Sequence, residues 1–128
     1  MNFPENLRYT KEHEWLSSQE GEAKVGVSQY ALEQLGDIVF VELPQVGSQV
    51  SAGESFGTIE STKTVSDLYA PSSGEVLAIN EKIVSSPESL QEDPYNSGWL
   101  VKLKLSEEAP KDLMSSEEYM KFISEEED

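Results

Sequence analysis

Apolar side chains along most of this chain fall in short runs that are separated by turn-forming residues. Residues 101–105 alternate apolar and charged side chains, which is the pattern of a strand with one exposed face. Residues 38–43 are rich in β-branched types and stop at a proline, as strands commonly do. We predict three more strands, over residues 56–60, 64–69 and 75–79. Many short strands at this spacing indicate a mainly β fold, either a small sandwich or a flattened barrel.

Three segments suggest short helices instead of strands. The first begins after Ser28, a residue type that caps helices, and ends at Gly36, because glycine is favoured where a helix stops. The second covers residues 86–90, with proline at the first helical position, where proline is well tolerated. The third covers about residues 115–124, and one of the two serines at its start is expected to cap it. We predict that these helices flank the strands.

Acidic side chains crowd the last part of the sequence. Between residues 106 and 128 they far outnumber the lysines. We therefore expect a short, frayed acidic tail after the C-terminal helix. No linker or low-complexity stretch precedes this tail, so one domain is predicted over residues 1–128.

The charge balance of the whole chain restricts its partners. There are 25 acidic and 9 basic side chains, which gives a net charge of −16. Phosphate backbones and anionic membrane surfaces would be repelled, so neither nucleic acid nor a membrane is an expected partner. Such a charge keeps a small protein soluble, and it can also steer the protein toward basic patches on larger partners.

The composition also bears on location and on reactive groups. No apolar run approaches the roughly 20 residues that span a bilayer, and the first residues lack the pattern of a signal or transit peptide. We expect a cytoplasmic protein, or a mitochondrial matrix protein if the chain has been processed. The absence of cysteine removes disulfides, thiolate metal sites and cysteine nucleophiles, and no metal site is predicted.

Two residues are candidates for chemistry, and each also has an ordinary structural explanation. His13 is the single histidine, so a Ser–His–Asp site would have to use it. It suits equally well a hydrogen-bonded or surface histidine beside a partly buried Trp15. Lys63 lies between two predicted strands, where a hairpin tip would expose it to a modifying enzyme, and acylation would remove its charge. By spacing alone it is also compatible with an ordinary solvated lysine.

Longer stretches of the sequence resemble one protein family over nearly the whole chain. They are residues 9–15 (YTKEHEW), 35–44 (LGDIVFVELP), 56–57, 59–61, 63, 65–71 (VSDLYAP), 73–74, 86–88, 92–95 (EDPY) and 98–100 (GWL). In this order they closely resemble the H-protein of the glycine cleavage system, within the wider group of lipoyl and biotinyl carrier domains. The resemblance implies a barrel-sandwich hybrid of two small antiparallel sheets with short flanking helices and a C-terminal helix.

The same resemblance implies the site. In this family the lysine of a Glu-Ser-x-Lys motif carries covalent lipoate, and the motif falls on Glu60, Ser61 and Lys63. It implies N6-lipoyllysine at Lys63 and no catalytic residue in the chain. It also implies a surface cleft for the loaded arm, with Glu14 and Asp67 as candidates to hold it. A carboxylate in a partly dry cleft would bind a cationic aminomethyl group by a charge-assisted hydrogen bond.

The partners are implied in the same way. A pyridoxal-phosphate glycine decarboxylase would load the aminomethyl group of glycine onto the arm, and an aminomethyltransferase would remove it. Dihydrolipoyl dehydrogenase would then reoxidise the arm, and lipoate-attaching enzymes would have to act before any of these steps. The chain itself is expected to be a carrier and not an enzyme, because the cofactor supplies the chemistry.

Related carriers differ from this chain beside the lysine. Lipoyl domains of 2-oxo acid dehydrogenases usually have Asp-Lys-Ala, and biotin carriers have Met-Lys-Met, whereas this chain has Thr62-Lys63-Thr64. The region around His13 and the helical C-terminus fit neither of them. An H-protein-like lipoate relay, or a lipoyl domain that serves another complex, stays open as the alternative function.

Overall fold

The computed structural model describes residues 3–106, 110 and 112–127, which form strands with helices at their margins. The strands are β1 (Arg8–Tyr9), β2 (Glu14–Gln19), β3 (Glu22–Val27), β4 (Ile38–Glu42), β5 (Gln49–Val50), β6 (Ser55–Ser61), β7 (Val65–Tyr69), β8 (Gly74–Ile79) and β9 (Val101–Leu105). The helices are α1 (Gln29–Leu35), α2 (Glu81–Ser85), a 3-10 helix (Pro87–Gln91) and α3 (Ser116–Glu127). In this part of the chain, no helix has the length and apolar character needed to cross a membrane.

The strands form two antiparallel sheets that enclose the main core. The larger sheet has the order β1-β2-β3-β9-β8-β5, and the smaller has the order β4-β6-β7. Side chains from both sheets meet in one buried cluster, together with apolar residues of α1, α2 and the 3-10 helix. Burial of this apolar surface is the main force that holds the two sheets together. The predicted mainly β class with two antiparallel sheets is confirmed, and neither sheet closes into a barrel among the described residues.

The five predicted strands are confirmed as β4, β6, β7, β8 and β9, with small shifts at their ends. The first helix begins and ends as predicted: the Ser28 hydroxyl accepts a hydrogen bond from Ala31 N–H (3.3 Å), and Gly36 N–H donates to the Leu32 carbonyl (3.1 Å). The sequence patterns did not reveal β1, β2, β3, β5 or α2. Gly26 interrupts the apolar pattern of β3. The structure explains why glycine stands there, because a Cβ at this position would collide with the indole ring of Trp15.

A second buried cluster attaches α3 to the larger sheet. Its members are Leu7, Tyr9, Trp15, Tyr30, Tyr119 and Ile123. The rings of Tyr9 and Tyr119 are stacked with centroids 4.7 Å apart. Trp15 was expected to be partly buried, but it is only 1% exposed, and its indole N–H donates to the Pro94 carbonyl at 3.0 Å. The helix is therefore held by aromatic packing on β1 and β2.

The C-terminal helix is longer than predicted. It runs over Ser116–Glu127 instead of ending at residue 124, so residues 125–127 belong to the helix and not to a frayed tail. At its start Ser115 and Glu118 form a reciprocal cap: Glu118 N–H donates to Ser115 Oγ, and Ser115 N–H donates to Glu118 Oε1. The acidic residues at positions 107, 108 and 128 lie outside the described residues.

Tyr119→Phe tests how firmly α3 is attached. The buried Tyr119 hydroxyl lies 2.6 Å from Ser28 Oγ and 2.8 Å from His13 Nδ1, and its removal takes a partner from both groups. A lost buried hydrogen bond costs about 1–3 kcal/mol, so we expect the free energy of unfolding to fall by that amount in urea titrations. Met120→Leu, on the exposed side of the same helix, is the control. Equal stability of the two variants would contradict this view of the attachment.

Candidate functional site

Lys63 lies at the tip of the hairpin that joins β6 to β7. The last strand pair is Glu60 with Val65, and residues 62–64 form the connection. The Lys63 side chain is exposed to solvent. The hairpin predicted around Lys63 is therefore present, and its tip makes the lysine accessible.

Ser61 fixes the shape of this tip. Its side chain is 5% exposed, and its Oγ accepts hydrogen bonds from the backbone N–H groups of Lys63 (3.1 Å) and Thr64 (3.2 Å). The Thr62 N–H donates to the carbonyl of Asp37 at 3.0 Å, which ties the tip to the segment between α1 and β4. The backbone that carries Lys63 is thus held from two sides. Ser61 of the predicted motif has a visible structural task, whereas Glu60 is a half-buried residue near the end of β6.

A cleft of about 420 Å³ lies beside the edge strand of the smaller sheet. Its walls come from residues 12–14, from α1, from residues 66–69 of β7 and from Glu126 of α3. Glu14 and Asp67, the two predicted cleft residues, both line it. Lys63 is not among the lining residues, but its stem lies against Gly36, which directly follows the cleft residue Leu35.

The two predicted carboxylates differ in their surroundings. Asp67 is exposed, whereas Glu14 is only 2% exposed. The Thr10 hydroxyl donates to Glu14 Oε1 (2.9 Å), and Tyr69 N–H donates to Oε2 (3.3 Å). Burial outweighs these hydrogen bonds and raises the pKa of Glu14 to about 8. The cleft therefore contains a buried carboxyl group, and a nearby cation would favour its ionised form.

His13 forms part of the cleft wall and has partners on both ring nitrogens. Its Nδ1 lies 2.8 Å from the Tyr119 hydroxyl, and its Nε2 lies 3.4 Å from Glu126 Oε2. Burial lowers the pKa of His13, while the charge of Glu126 opposes that shift. His13 is therefore a hydrogen-bonded histidine, which is the ordinary structural explanation that the sequence allowed for it. Its contact with Glu126 also places the end of α3 at the rim of the cleft.

Sequence reasoning missed several polar residues of the cleft, and three of them bear on its charge or its rim. They are Glu12, Gln34 and Glu126. Glu12 stands two positions before Glu14 in residues 9–15, one of the stretches that resemble the family. The sequence could therefore have indicated Glu12 as a cleft residue. Glu126 falls in the expected tail, and only the added turn of α3 carries it to the cleft.

Comparison with known proteins identifies the family. Residues 7–126 match the family model described as Glycine cleavage H-protein. The chain belongs to this H-protein family. The glycine cleavage system H protein of Rubrobacter xylanophilus is 56% identical over 125 residues, which cover 98% of each chain. That of Halothermothrix orenii is 52% identical over 126 residues and also covers 98% of each chain.

A solved H-protein structure supports the same assignment. The crystal structure of a glycine cleavage system H protein from Mycobacterium marinum is 42% identical and superposes with a TM-score of 0.90. The match covers 95% of this chain and 99% of that one. The resemblance found in the sequence is confirmed, and with it the function of the H-protein family, that of a lipoyl carrier.

Ser61→Ala tests the hairpin tip of this H-protein. The change removes the acceptor of two backbone N–H groups, and a hydrogen bond contributes about 0.5–1.5 kcal/mol net. We expect a loss of roughly 1–3 kcal/mol in the free energy of unfolding. Amide hydrogen exchange at Lys63 and Thr64 should also become faster. Ser55→Ala, on the exposed part of the same strand, should change neither quantity, and unchanged exchange in Ser61→Ala would contradict the assigned contact.

Glu14 predicts a pH dependence of stability. Because its pKa is about 8 when folded and ordinarily 4.5, the unfolded chain releases this proton first as the pH rises. The stability that protonated Glu14 contributes is present below its unfolded pKa and is lost as the pH rises through its folded pKa. Wild-type stability should therefore fall relative to Glu14→Gln between about pH 4.5 and pH 8 in urea titrations. A parallel profile for the two proteins would refute this, and Glu42→Gln serves as the exposed control.

Proposed function

We propose that this chain is the lipoyl-bearing carrier of the glycine cleavage system, with lipoate joined through an amide bond to Nζ of Lys63. The observation that carries the proposal is an exposed lysine on a fixed hairpin tip, beside a cleft with a buried carboxyl group. The motif Glu60-Ser61-x-Lys63 and the family membership of the chain support the same residue.

The residues around Lys63 fit such an attachment. An attaching enzyme needs access to the amine, and the tip of the β6–β7 hairpin presents the exposed Lys63 side chain. Amide formation removes the charge of Lys63. This charge forms no ion pair among the described residues, so no acidic side chain there would lose its partner. Lysine and lipoyl chain together extend roughly 15 Å at about 1.5 Å per bond, enough to reach from a carrier surface into an enzyme active site.

When bound, lipoate supplies a disulfide that can be reduced and reoxidised, and a thiol that can carry the aminomethyl group of glycine. The chain contributes position: Ser61 holds the turn, and the Asp37 carbonyl holds the turn against the core. The partners in this proposal are glycine decarboxylase, aminomethyltransferase, dihydrolipoyl dehydrogenase and the lipoate-attaching enzymes. No catalytic task is assigned to His13, because both of its ring nitrogens face partners within the protein.

The cleft gives Glu14 and Asp67 a function toward the cargo. An aminomethyl group is cationic, and a cation beside Glu14 would favour the ionised carboxylate in a site that is largely shielded from water. A charge-assisted hydrogen bond of this kind is stronger than one between neutral groups. Asp67 is exposed, so it would contribute less than Glu14.

Lipoylation at Lys63 is the first test. We expect the intact mass of protein expressed with lipoate and an attaching enzyme to rise by one lipoyl group, and peptide mapping to place that group on Lys63. Lys63→Ala should stay unmodified, whereas Lys82→Ala, which removes an exposed lysine of α2, should be modified fully. A lipoyl group on any other lysine would overturn the assignment.

The cleft carboxylates are tested with protein that has been loaded and then purified away from its partners. Glu14→Ala and Asp67→Ala should both be lipoylated normally. We expect spontaneous release of ammonia to be several-fold faster for Glu14→Ala and less affected for Asp67→Ala, in keeping with their burial. Glu42→Ala, an exposed acid outside the cleft, should decay as the wild type does. Decay at one rate in all four proteins would remove the sheltering function but leave the carrier function intact.

A further inference from the structure

Gly36 has a backbone conformation that side chains rarely adopt. It ends α1, where its N–H donates to the Leu32 carbonyl, and its φ of 83° and ψ of −145° lie in a region that is nearly restricted to glycine. A helix stop explains the choice of glycine in part. It does not explain what occupies the space beside the residue.

The Lys63 side chain lies where a side chain of residue 36 would point. A Cβ on Gly36 would stand 3.3 Å from Cε, 3.7 Å from Nζ and 3.8 Å from Cδ of Lys63. The other described glycines with positive φ are Gly21, Gly47 and Gly53, and a Cβ on each of these would have no neighbour within 4 Å. The bare backbone of Gly36 therefore forms a floor under the last three atoms of the lysine stem.

This floor is held firmly and leads toward the cleft. The Gly36 carbonyl accepts a hydrogen bond from Gln91 Nε2 at 2.5 Å. The next carbonyl, that of Asp37, accepts the Thr62 N–H of the hairpin tip. On the other side Leu35 directly precedes Gly36 and lines the cleft. A hydrogen bond thus joins the floor to the hairpin tip, and the chain itself joins the floor to the cleft wall.

We propose that Gly36 is a positioning residue, whose missing side chain lets the Lys63 stem lie flat on the end of α1 and turn toward the cleft. This inference rests on the proposed lipoyl attachment at Lys63. An Ala methyl group at this place would force the stem away by a few tenths of an ångström. A free lysine tolerates this displacement easily because its end is flexible. An arm that must cross the floor to reach Glu14 would meet the methyl group on its direct path.

The first measurement needs neither lipoate nor a variant. In the unmodified wild-type protein, nuclear Overhauser effects should connect the Lys63 ε-protons with the Gly36 α-protons, because the lysine stem lies directly against the glycine backbone. Their absence would overturn the proposal. Their presence is required even if Lys63 proved not to carry lipoate, so this result is separate from the test of the proposed function.

The second measurement compares Gly36→Ala with Gly53→Ala. Both glycines have a φ of 83°, so both substitutions introduce backbone strain, but only the one at position 36 places a methyl group against Lys63. Urea titrations establish that each variant is folded. Both should be lipoylated like the wild type, and loaded Gly36→Ala should release ammonia several-fold faster than loaded Gly53→Ala.

The outcomes separate the possible functions of the glycine. Equal release rates in the two variants would overturn the proposal. A folded Gly36→Ala that cannot be lipoylated would also overturn it, since the glycine would then serve attachment instead of the path of the arm. If Gly36→Ala does not fold, the proton contacts of the wild type decide. Failure of lipoylation in the wild type itself would refute the proposed function and leave the contact of Lys63 with Gly36 unaffected.

Discussion

The hydrogen bond from Thr62 N–H to the Asp37 carbonyl joins the two parts of this molecule that matter most for the proposed function. One is the hairpin tip that bears Lys63, and the other is the end of α1 beside the cleft. A hairpin tip without such a tie would move on its own, because loop tips are the most mobile parts of a sheet. Here the tip, the Gly36 floor and the cleft wall keep a fixed relation. The proposed attachment point of the lipoyl arm is thus rigid, and the freedom of movement would lie in the arm itself.

Because Glu14 is buried, its ionisation depends on whether a cation occupies the cleft. In water a glutamate is ionised near neutral pH, but burial in the folded protein raises the pKa of this one to about 8 and so favours its protonated form. A cation that enters the cleft would shift this balance toward the carboxylate. The binding energy gained must first offset the cost of ionising a buried group, so Glu14 would favour a cation only where the two groups are in close contact. The neighbouring exposed acids, Glu12 and Asp67, would attract a cation without selecting it as strongly.

Local signals in the sequence were sufficient for the parts of the fold that bear the hairpin. The strand β4 and helix α1, with Ser28 and Gly36 at its ends, could be predicted because caps and β-branched runs act over a few residues. The strand β2 could not, since Glu14, Trp15 and Leu16 are all buried and the alternation of a half-exposed strand is lost. Glu14 also accepts a hydrogen bond from Tyr69 N–H of β7, which is distant in sequence. For the same reason Gly36 was recognised as a helix end but not as a neighbour of Lys63, which is a contact made only by the folded chain.

The margins of the larger sheet affect how this protein can meet other proteins. That sheet ends at β1 and β5, and each of these strands has only two residues. A long free edge would offer unpaired backbone groups to a strand of another molecule, which is a common route to aggregation. Such short edges offer almost no template for it, and the net charge of −16 adds repulsion between copies. At these two margins a partner would meet side chains, and it could leave without exchanging strands.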